Sequence, residues 1–282
     1  MRMPWKAVIK SVMPPLLLQG VQRLRYGPPP PPEWEFVPEG WVGFQARGWN
    51  DASIAGAQCR KWPKFRELIK SPSPLAVSHE DPEPDNGNGV SHNAIMSYAY
   101  VLALAAQGRK TLSILDWGSG VGHYYPLSQE LLPGVELDYH AHDLPHLCAA
   151  GRELNPQANF HEDANACWNR SYDLVLASAS LQYSVEWKAV LEKLAAVTGR
   201  FLFVTRLPVV LQVPSFVVVQ RVQSYGYDTE YCGWVFNRQE FLECCDQQPL
   251  IFQREFLMMD SPQVHEAPES VQFRGFLFSK PT

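Results

Sequence analysis

The residues best suited to bind a ligand form a glycine-rich loop between an apolar run and a helical segment. In order, they are Asp116, Trp117, Gly118, Ser119, Gly120, Val121, Gly122, His123 and Tyr124. Glycines at every second position permit a tight turn and let a ligand approach the backbone closely. Free N–H groups at the start of the next helix suit an anionic group. This loop is the first candidate for a cofactor site.

Two ligand classes use a loop of this kind. The dinucleotide fingerprint G-x-G-x-x-G fails here, because its third glycine, counted from Gly118, would fall at His123. The pattern D-x-G-x-G-x-G instead resembles motif I of class I S-adenosylmethionine-dependent methyltransferases. That resemblance implies that the loop, including Ser119 and Gly122, holds the methionine part of S-adenosylmethionine. It also implies that Asp116 contacts the amino group of the cofactor, directly or through water.

Acids also follow the next two predicted strands. Asp143 lies 21 residues after Gly122, where a carboxylate can accept hydrogen bonds from both ribose hydroxyls, and Leu144 would pack on the adenine. Asp163, preferred over Glu162, resembles the acid that accepts from the adenine amine. Ser178, directly after the fourth strand, completes the predicted cofactor site.

The spacing of apolar residues predicts alternating strands and helices. Strands are expected at 111–116, 136–143, 158–162, 172–177 and 200–205, and helices at 94–107, 126–132, 145–154 and 185–197. Strands alternating with helices indicate a mostly parallel sheet. Two late strands at 250–258 and 272–279 have no helix between them, which predicts an antiparallel pair at the sheet edge. The expected class is a Rossmann-like α/β fold with a helical N-terminal extension.

A closer resemblance extends from Trp49 to Phe278. The chain is similar to a family of bacterial methyltransferases often encoded among surface-polysaccharide biosynthesis genes. The matching segments are 48–52, 115–122, 176–183, 205–208, 218–220, 232–236 and 275–278. The chain departs from the family at Val204-Thr205, where an acid more often precedes the arginine. The resemblance implies methyl transfer without naming the acceptor.

The residues expected to act on the acceptor follow strands 1 and 4. His123 is the best-placed imidazole for a general base; the alternative is a helix-start residue facing solvent or the cofactor carboxylate. Gln182 and Tyr183 could orient an acceptor hydroxyl by hydrogen bonds. The alternative for Tyr183 is a half-buried ring between sheet and helix.

Four further residues are predicted to bind the acceptor: Tyr124, Arg206, Tyr225 and Trp234. Arg206, after strand 5, could bind an acidic sugar or a phosphate, or could form a structural ion pair. Tyr225 and Trp234 belong to an aromatic segment that could stack on a sugar, although core packing explains them equally well. No metal site is predicted, because His140, His142 and His161 lack a clear fourth ligand.

Composition narrows the functional classes. The net charge of −5 argues against nucleic-acid binding, and six cysteines without a CxxC pair indicate reduced thiols in a cytoplasmic protein. Residues 1–26 form a basic amphipathic segment that could lie on the inner face of a membrane or pack on protein. The expected divisions are this segment, a proline-rich linker at 27–40, a helical cap and loop at 41–110, and a cofactor domain at 111–282.

Together these observations predict O-methylation of a surface glycan or its precursor. One rival is a catalytically silent domain that binds a glycan-biosynthesis enzyme. The others are a methyltransferase acting on a small metabolite and a nicotinamide-dependent oxidoreductase. The oxidoreductase is disfavoured because His123 stands where the dinucleotide fingerprint has its third glycine.

Overall fold

The strands that end at the glycine loop form the parallel half of a mixed sheet. A computed structural model describes residues 30–43, 47–78 and 83–281. Its parallel strands are β2 (Thr111–Trp117), β3 (Glu136–His142), β4 (Asn159–His161), β5 (Tyr172–Ser178) and β6 (Thr198–Val210), in the spatial order β4-β3-β2-β5-β6. All five are predicted by the sequence. The carboxyl ends of β2, β3 and β5 lie at one edge of this sheet, where ligands of open α/β sheets bind.

Helices cover both faces of the sheet. They are α1 (Ala52–Lys70), α2 (Gly89–Ala106), α3 (Tyr124–Leu131), α4 (Pro145–Leu154), α5 (Trp187–Val197) and α6 (Arg238–Asp246). Tyr98, Val101 and Leu102 of α2 are fully buried in one core cluster with residues of β2, β3 and β5. Helix α2 is therefore a layer of the same domain. The predicted boundary at residue 110 does not divide the folded chain, since 33–282 form one compact unit.

The predicted antiparallel pair is present at the end of the chain. Strand β11 (Gln272–Ser279) pairs antiparallel with β6, and β9 (Ile251–Leu257) pairs antiparallel with β11 as the outer strand. The sheet therefore combines five parallel strands with one antiparallel strand next to β6, as the sequence indicates.

A second leaf of the sheet was not predicted. At its far end β6 pairs with β8 (Glu230–Asn237) through Val209 and Val210. Strand β8 continues to β7 (Phe216–Arg221), β1 (Trp34–Val37) and the short β10 (Val264–His265).

The sequence predicts a linker over 27–40, but its second half contains strand β1. Strand β1 pairs with β7 and buries Trp34 and Val37. Arg221 Nη1 of β7 binds Glu35 Oε2 at 2.8 Å, which also holds β1 in place. The basic segment 1–26 lies outside the described residues. No helix of the described part of the chain is long and apolar enough to cross a bilayer.

One aromatic ring connects the glycine loop to β4 and α4. A Cβ added to Gly122 would lie 2.8 Å from Phe160 Cζ, and one added to Gly151 would lie 2.2 Å from Phe160 Cε1. The ring therefore requires a glycine in the loop and another in the helix.

We expect Gly151→Ala to lower the free energy of unfolding by about 1–3 kcal/mol, because the methyl group overpacks this contact. Chemical denaturation measures the change. Gly134→Ala is the matched control, since a Cβ there meets open space. Equal stability of the two variants would contradict the packing role of Phe160.

Candidate active site

The main cavity opens at the carboxyl ends of β2, β3 and β5, beside Arg206 of β6, and has a volume of about 880 Å³. Ten of the predicted site residues line it: Gly118, Ser119, Gly120, His123, Tyr124, Asp143, Leu144, Ser178, Tyr183 and Arg206. Six do not: Asp116, Gly122, Asp163, Gln182, Tyr225 and Trp234. The cavity is large enough for a nucleoside-sized ligand with a second molecule beside it.

The glycine loop is shaped by left-handed backbone conformations. Gly118, Gly120 and Gly122 have φ of +73°, +58° and +83°. A Cβ on Gly118 would lie 2.3 Å from Ser180 Cβ. The N–H groups of Gly118 and Ser119 both donate to the carbonyl of His142, at 2.9 and 3.2 Å. Side chains with a Cβ are therefore excluded both by conformation and by space.

Side chains from distant elements hold the rest of the loop. Gln58 Oε1 of α1 accepts from the Val121 N–H at 3.2 Å, and Gln58 Nε2 donates to the Tyr227 hydroxyl at 3.2 Å. Asn155 Nδ2 donates to the Val121 carbonyl at 2.9 Å. Gln58 also lines the main cavity. Sequence reasoning missed Gln58, because nothing local distinguishes it from other polar helix residues.

Asp143 lies where a ribose-binding acid is expected, and it also supports the loop. Its Oδ2 accepts from the Gly120 N–H at 2.6 Å and its Oδ1 from the Leu144 N–H at 2.7 Å. A carboxylate has about four acceptor positions, so two remain for hydroxyl groups. Burial raises the pKa of this carboxyl to about 6, against the opposing effect of the two N–H donors. A ligand that donates hydrogen bonds would favour its ionised form.

Asp116 lies beneath the loop and not in the cavity wall. It is 1% exposed, and its Oδ2 accepts from the Tyr139 hydroxyl at 2.6 Å. Burial raises the pKa of Asp116 to about 7, although the Tyr139 bond lowers it, and nearby Asp143 raises it further. The expected contact with a cofactor amino group, directly or through water, stays a prediction. The carboxyl fixes β2 to β3 below the loop.

Asp163 is exposed and lies outside the cavity. Its Oδ1 accepts from the Asn165 N–H at 2.9 Å and caps the single turn Ala164–Cys167. The aromatic rings of Trp117 and His142, whose centroids are 4.2 Å apart, line the cavity on this side instead. Trp117 also packs on Trp168, with centroids 4.7 Å apart. The spacing of acids in the sequence does not reveal this aromatic surface.

An aromatic wall faces the loop across the cavity. Trp49 stacks on Tyr231 with centroids 4.4 Å apart and packs on Tyr183 at 5.1 Å. Tyr227 packs on the edge of Trp49 at 6.5 Å. Trp49 precedes α1, Tyr231 belongs to β8, and Tyr227 lies in the connection between β7 and β8. The wall therefore forms where the unpredicted leaf and its connection fold against the start of α1.

The predicted acceptor residues surround the same region. His123 is buried between Trp62 and Phe65, with centroids 5.3 and 5.0 Å away. The Tyr124 hydroxyl hydrogen-bonds Ser178 Oγ at 2.8 Å and so joins two predicted site residues.

Arg206 lies at a strained position. Its φ is +53°, which is rare for a residue with a side chain, and Ala179 at the end of β5 has φ of +49°. The Ala179 N–H donates to the carbonyl of Thr205 at 2.9 Å. Strained backbone of this kind concentrates at functional sites.

An adjoining space, the amide cavity, has a volume of about 320 Å³. It is lined by Glu33, Trp34, Ala179, Gln182, Tyr183, Arg206, Gln220, Tyr225, Tyr231, Asp260, Pro262, Gln263 and Phe273. It shares Ala179, Tyr183, Arg206 and Tyr231 with the main cavity. Gln182 and Tyr225 belong here, away from the glycine loop. Trp234 lines neither cavity and packs on Trp41, with centroids 6.1 Å apart, so core packing describes it.

The histidines of β3 and β4 form a hydrogen-bonded cluster. His140 Nδ1 lies 2.8 Å from His161 Nε2, and Arg170 contacts both His140 and Asp138. Among the residues that the structure describes, no three metal-binding side chains converge.

Asp116→Asn should flatten the pH dependence of stability. The folded protein holds a proton on Asp116 between its ordinary pKa of 3.8 and about 7, so the free energy of unfolding falls as pH rises through that window. An asparagine cannot ionise. In this variant, the free energy of unfolding should therefore fall only through the titration of Asp143, between pH 3.8 and about pH 6.

Urea unfolding at a series of pH values measures this slope, with exposed Asp246→Asn as the control for loss of one carboxyl. A slope for Asp116→Asn equal to that of the wild type would show that Asp116 does not carry the effect.

Comparison with known proteins gives structural matches only. No family model matches the chain, and no curated protein matches it significantly. One match is a magnesium protoporphyrin IX methyltransferase from Synechocystis PCC 6803, whose structure contains bound S-adenosylmethionine. Its sequence is 13% identical, the alignment covers 83% of this chain and 100% of that protein, and the TM-score is 0.45. The 1,6-didemethyltoxoflavin-N1-methyltransferase of Burkholderia thailandensis is 13% identical, covers 82% and 88%, and has a TM-score of 0.44.

A stronger structural match carries the assignment of the fold. A provisionally named sarcosine dimethylglycine methyltransferase from Galdieria sulphuraria is 13% identical, covers 79% of this chain and 98% of its own, and has a TM-score of 0.51. The mostly parallel sheet covered by helices is consistent with this match. The chain has the Rossmann-like α/β fold of class I methyltransferases.

Proposed function

We propose that the protein is an S-adenosylmethionine-dependent methyltransferase that methylates an oxygen of a polar acceptor. The observation that carries this proposal is the convergence of the glycine loop and Asp143 on one large cavity at the carboxyl ends of β2 and β3. The acceptor we favour is a sugar of a surface glycan or of its precursor, because the family that the sequence resembles is often encoded among surface-polysaccharide biosynthesis genes. A small metabolite is the alternative acceptor for the same chemistry.

The residues present fit the cofactor. Gly118 and Gly120 line the cavity, and their left-handed backbones, packed against Ser180 and Gln58, give the loop the shape against which the cofactor would lie. Asp143 keeps two acceptor positions for ribose hydroxyls, and Leu144 offers an apolar surface to the adenine beside it. The aromatic wall of Trp49, Tyr183, Tyr227 and Tyr231 lines the cavity, and aromatic rings of this kind can attract a cationic sulfonium.

S-adenosylmethionine supplies a methyl group already activated by its sulfonium, so the protein contributes mainly by positioning the acceptor. Tyr183 and His123 line the cavity: Tyr183 is the candidate to orient the acceptor oxygen, and His123 is the candidate to receive its proton. Tyr183 has a fixed hydroxyl, since it donates to Gln220 Oε1 at 3.0 Å. Arg206 adds a positive charge between the two cavities.

The proposed location follows from the proposed acceptor. Glycan precursors are assembled at the inner face of the membrane, so we place the protein in the cytoplasm with peripheral contact through residues 1–26. That contact is tested by deleting the segment. If the acceptor is linked to the membrane, the variant without residues 1–26 should lose methylation in cells but still bind the cofactor. If the acceptor is a soluble metabolite, the same variant should keep its methylation activity.

Titration calorimetry with S-adenosylhomocysteine tests the cofactor site. We expect micromolar binding to the wild type and a loss of about tenfold or more in Asp143→Ala, because hydrogen bonds to a charged acceptor are removed. Asp143→Asn should fall between the two, since it keeps one oxygen.

Asp246→Ala, which removes an exposed carboxyl outside both cavities, is the control and should bind as the wild type does. No binding to the wild type would overturn the proposal and favour the catalytically silent alternative. If Asp143→Ala binds S-adenosylhomocysteine as tightly as the wild type does, Asp143 does not bind the ribose.

A further inference from the structure

The amide cavity is a second binding space placed directly beside the first. The two spaces share Ala179, which follows β5, and Arg206, which lies within β6, and both residues have left-handed backbones. A molecule in the amide cavity would therefore face a ligand held at the glycine loop. This position suits the partner in a transfer reaction.

The floor of the amide cavity contains an unsatisfied amide. Gln182 is 1% exposed, and within the described residues neither its Nε2 nor its Oε1 has a hydrogen-bond partner. Leaving a buried amide unpaired is unfavourable, and such groups are rare in folded proteins. A ligand that both donates and accepts hydrogen bonds would satisfy both atoms.

The groups beside Gln182 are also polar and uncharged. Gln220 is 4% exposed and accepts from the Tyr183 hydroxyl at 3.0 Å, and Tyr231 is 3% exposed. Three charged side chains also line the cavity: Arg206 and Glu33 are half-buried, and Asp260 is exposed. An anionic ligand would meet both carboxylates and a cationic ligand would meet the guanidinium, whereas a hydroxyl or amide is matched by the uncharged groups beside Gln182.

Aromatic rings and the volume limit the shape of the ligand. Trp34, Tyr225 and Phe273 line the cavity together with Tyr183 and Tyr231, and such rings pack against a flat or cyclic molecule. Since water occupies about 30 Å³ in the liquid, a space of 320 Å³ holds a ligand of roughly a dozen non-hydrogen atoms. A single sugar ring has this size and carries hydroxyls around its edge.

We propose that the amide cavity binds the acceptor as a neutral hexose ring, with Gln182 hydrogen-bonding its hydroxyls and determining specificity. This inference rests on the proposed methyltransferase function and adds the location and chemical class of the acceptor. Gln182 is thereby a recognition residue and not a member of the cofactor site.

The test is saturation-transfer NMR on the full chain with S-adenosylhomocysteine present. The probes are D-glucose, D-galactose, D-mannose, L-rhamnose and L-fucose, each added alone at millimolar concentration. We expect at least one sugar to show saturation transfer with the wild type. Gln182→Met, which keeps the length of the side chain and removes both polar atoms, should weaken its binding about tenfold or more.

Two readouts show that Gln182→Met is a folded protein. Its affinity for S-adenosylhomocysteine should equal that of the wild type, and its melting temperature should be equal or higher, because an unpaired buried amide is removed. Gln253→Met is the matched control, since Gln253 is exposed on β9 and lines neither cavity.

The outcomes separate this inference from the proposed function. If S-adenosylhomocysteine binds but no sugar does, or if Gln182→Met binds the sugar as the wild type does, the hexose site is wrong and the methyltransferase proposal stands. If S-adenosylhomocysteine does not bind the wild type, both proposals fail.

Discussion

The hydrogen bonds that hold the glycine loop from outside are the constraint on which the site depends. Besides the carbonyl of His142, the loop backbone relies on the side chains of Gln58, Asp143 and Asn155. Gln58 belongs to α1, whereas Asp143 follows β3 and Asn155 follows α4. The cavity therefore takes its shape only when the N-terminal helix, the parallel sheet and the loop are assembled together.

The parallel sheet and its loop could be predicted because their signals are local. Apolar runs followed by glycines at 118, 120 and 122 mark strand, turn and helix in one short stretch. The second leaf gives weaker signals. Strand β1 has four residues directly after a proline run, and its partner β7 lies far along the chain. Pairing between distant short strands depends on tertiary contacts that no local pattern contains.

In the site, too, sequence spacing predicts which residues lie near the cavity, whereas tertiary packing determines where their side chains point. Spacing placed Asp143 and Tyr183 in the cavity wall, because both follow strands whose ends meet there. Spacing does not predict that Asp116 lies under the loop and accepts a hydrogen bond from Tyr139, or that Asp163 caps a surface turn. The direction of a side chain depends on which neighbouring group offers a hydrogen bond, and that neighbour is often distant in sequence.

The Gln58 amide contacts the loop through its oxygen and, through its nitrogen, Tyr227 in the connection between β7 and β8 of the second leaf. Because an amide group is planar, these two contacts are fixed in direction relative to each other. A rotation that follows the loop must therefore carry the Tyr227 end with it or break one bond. The loop and the second leaf are thus mechanically linked through a single rigid group, and they can be expected to shift as one unit.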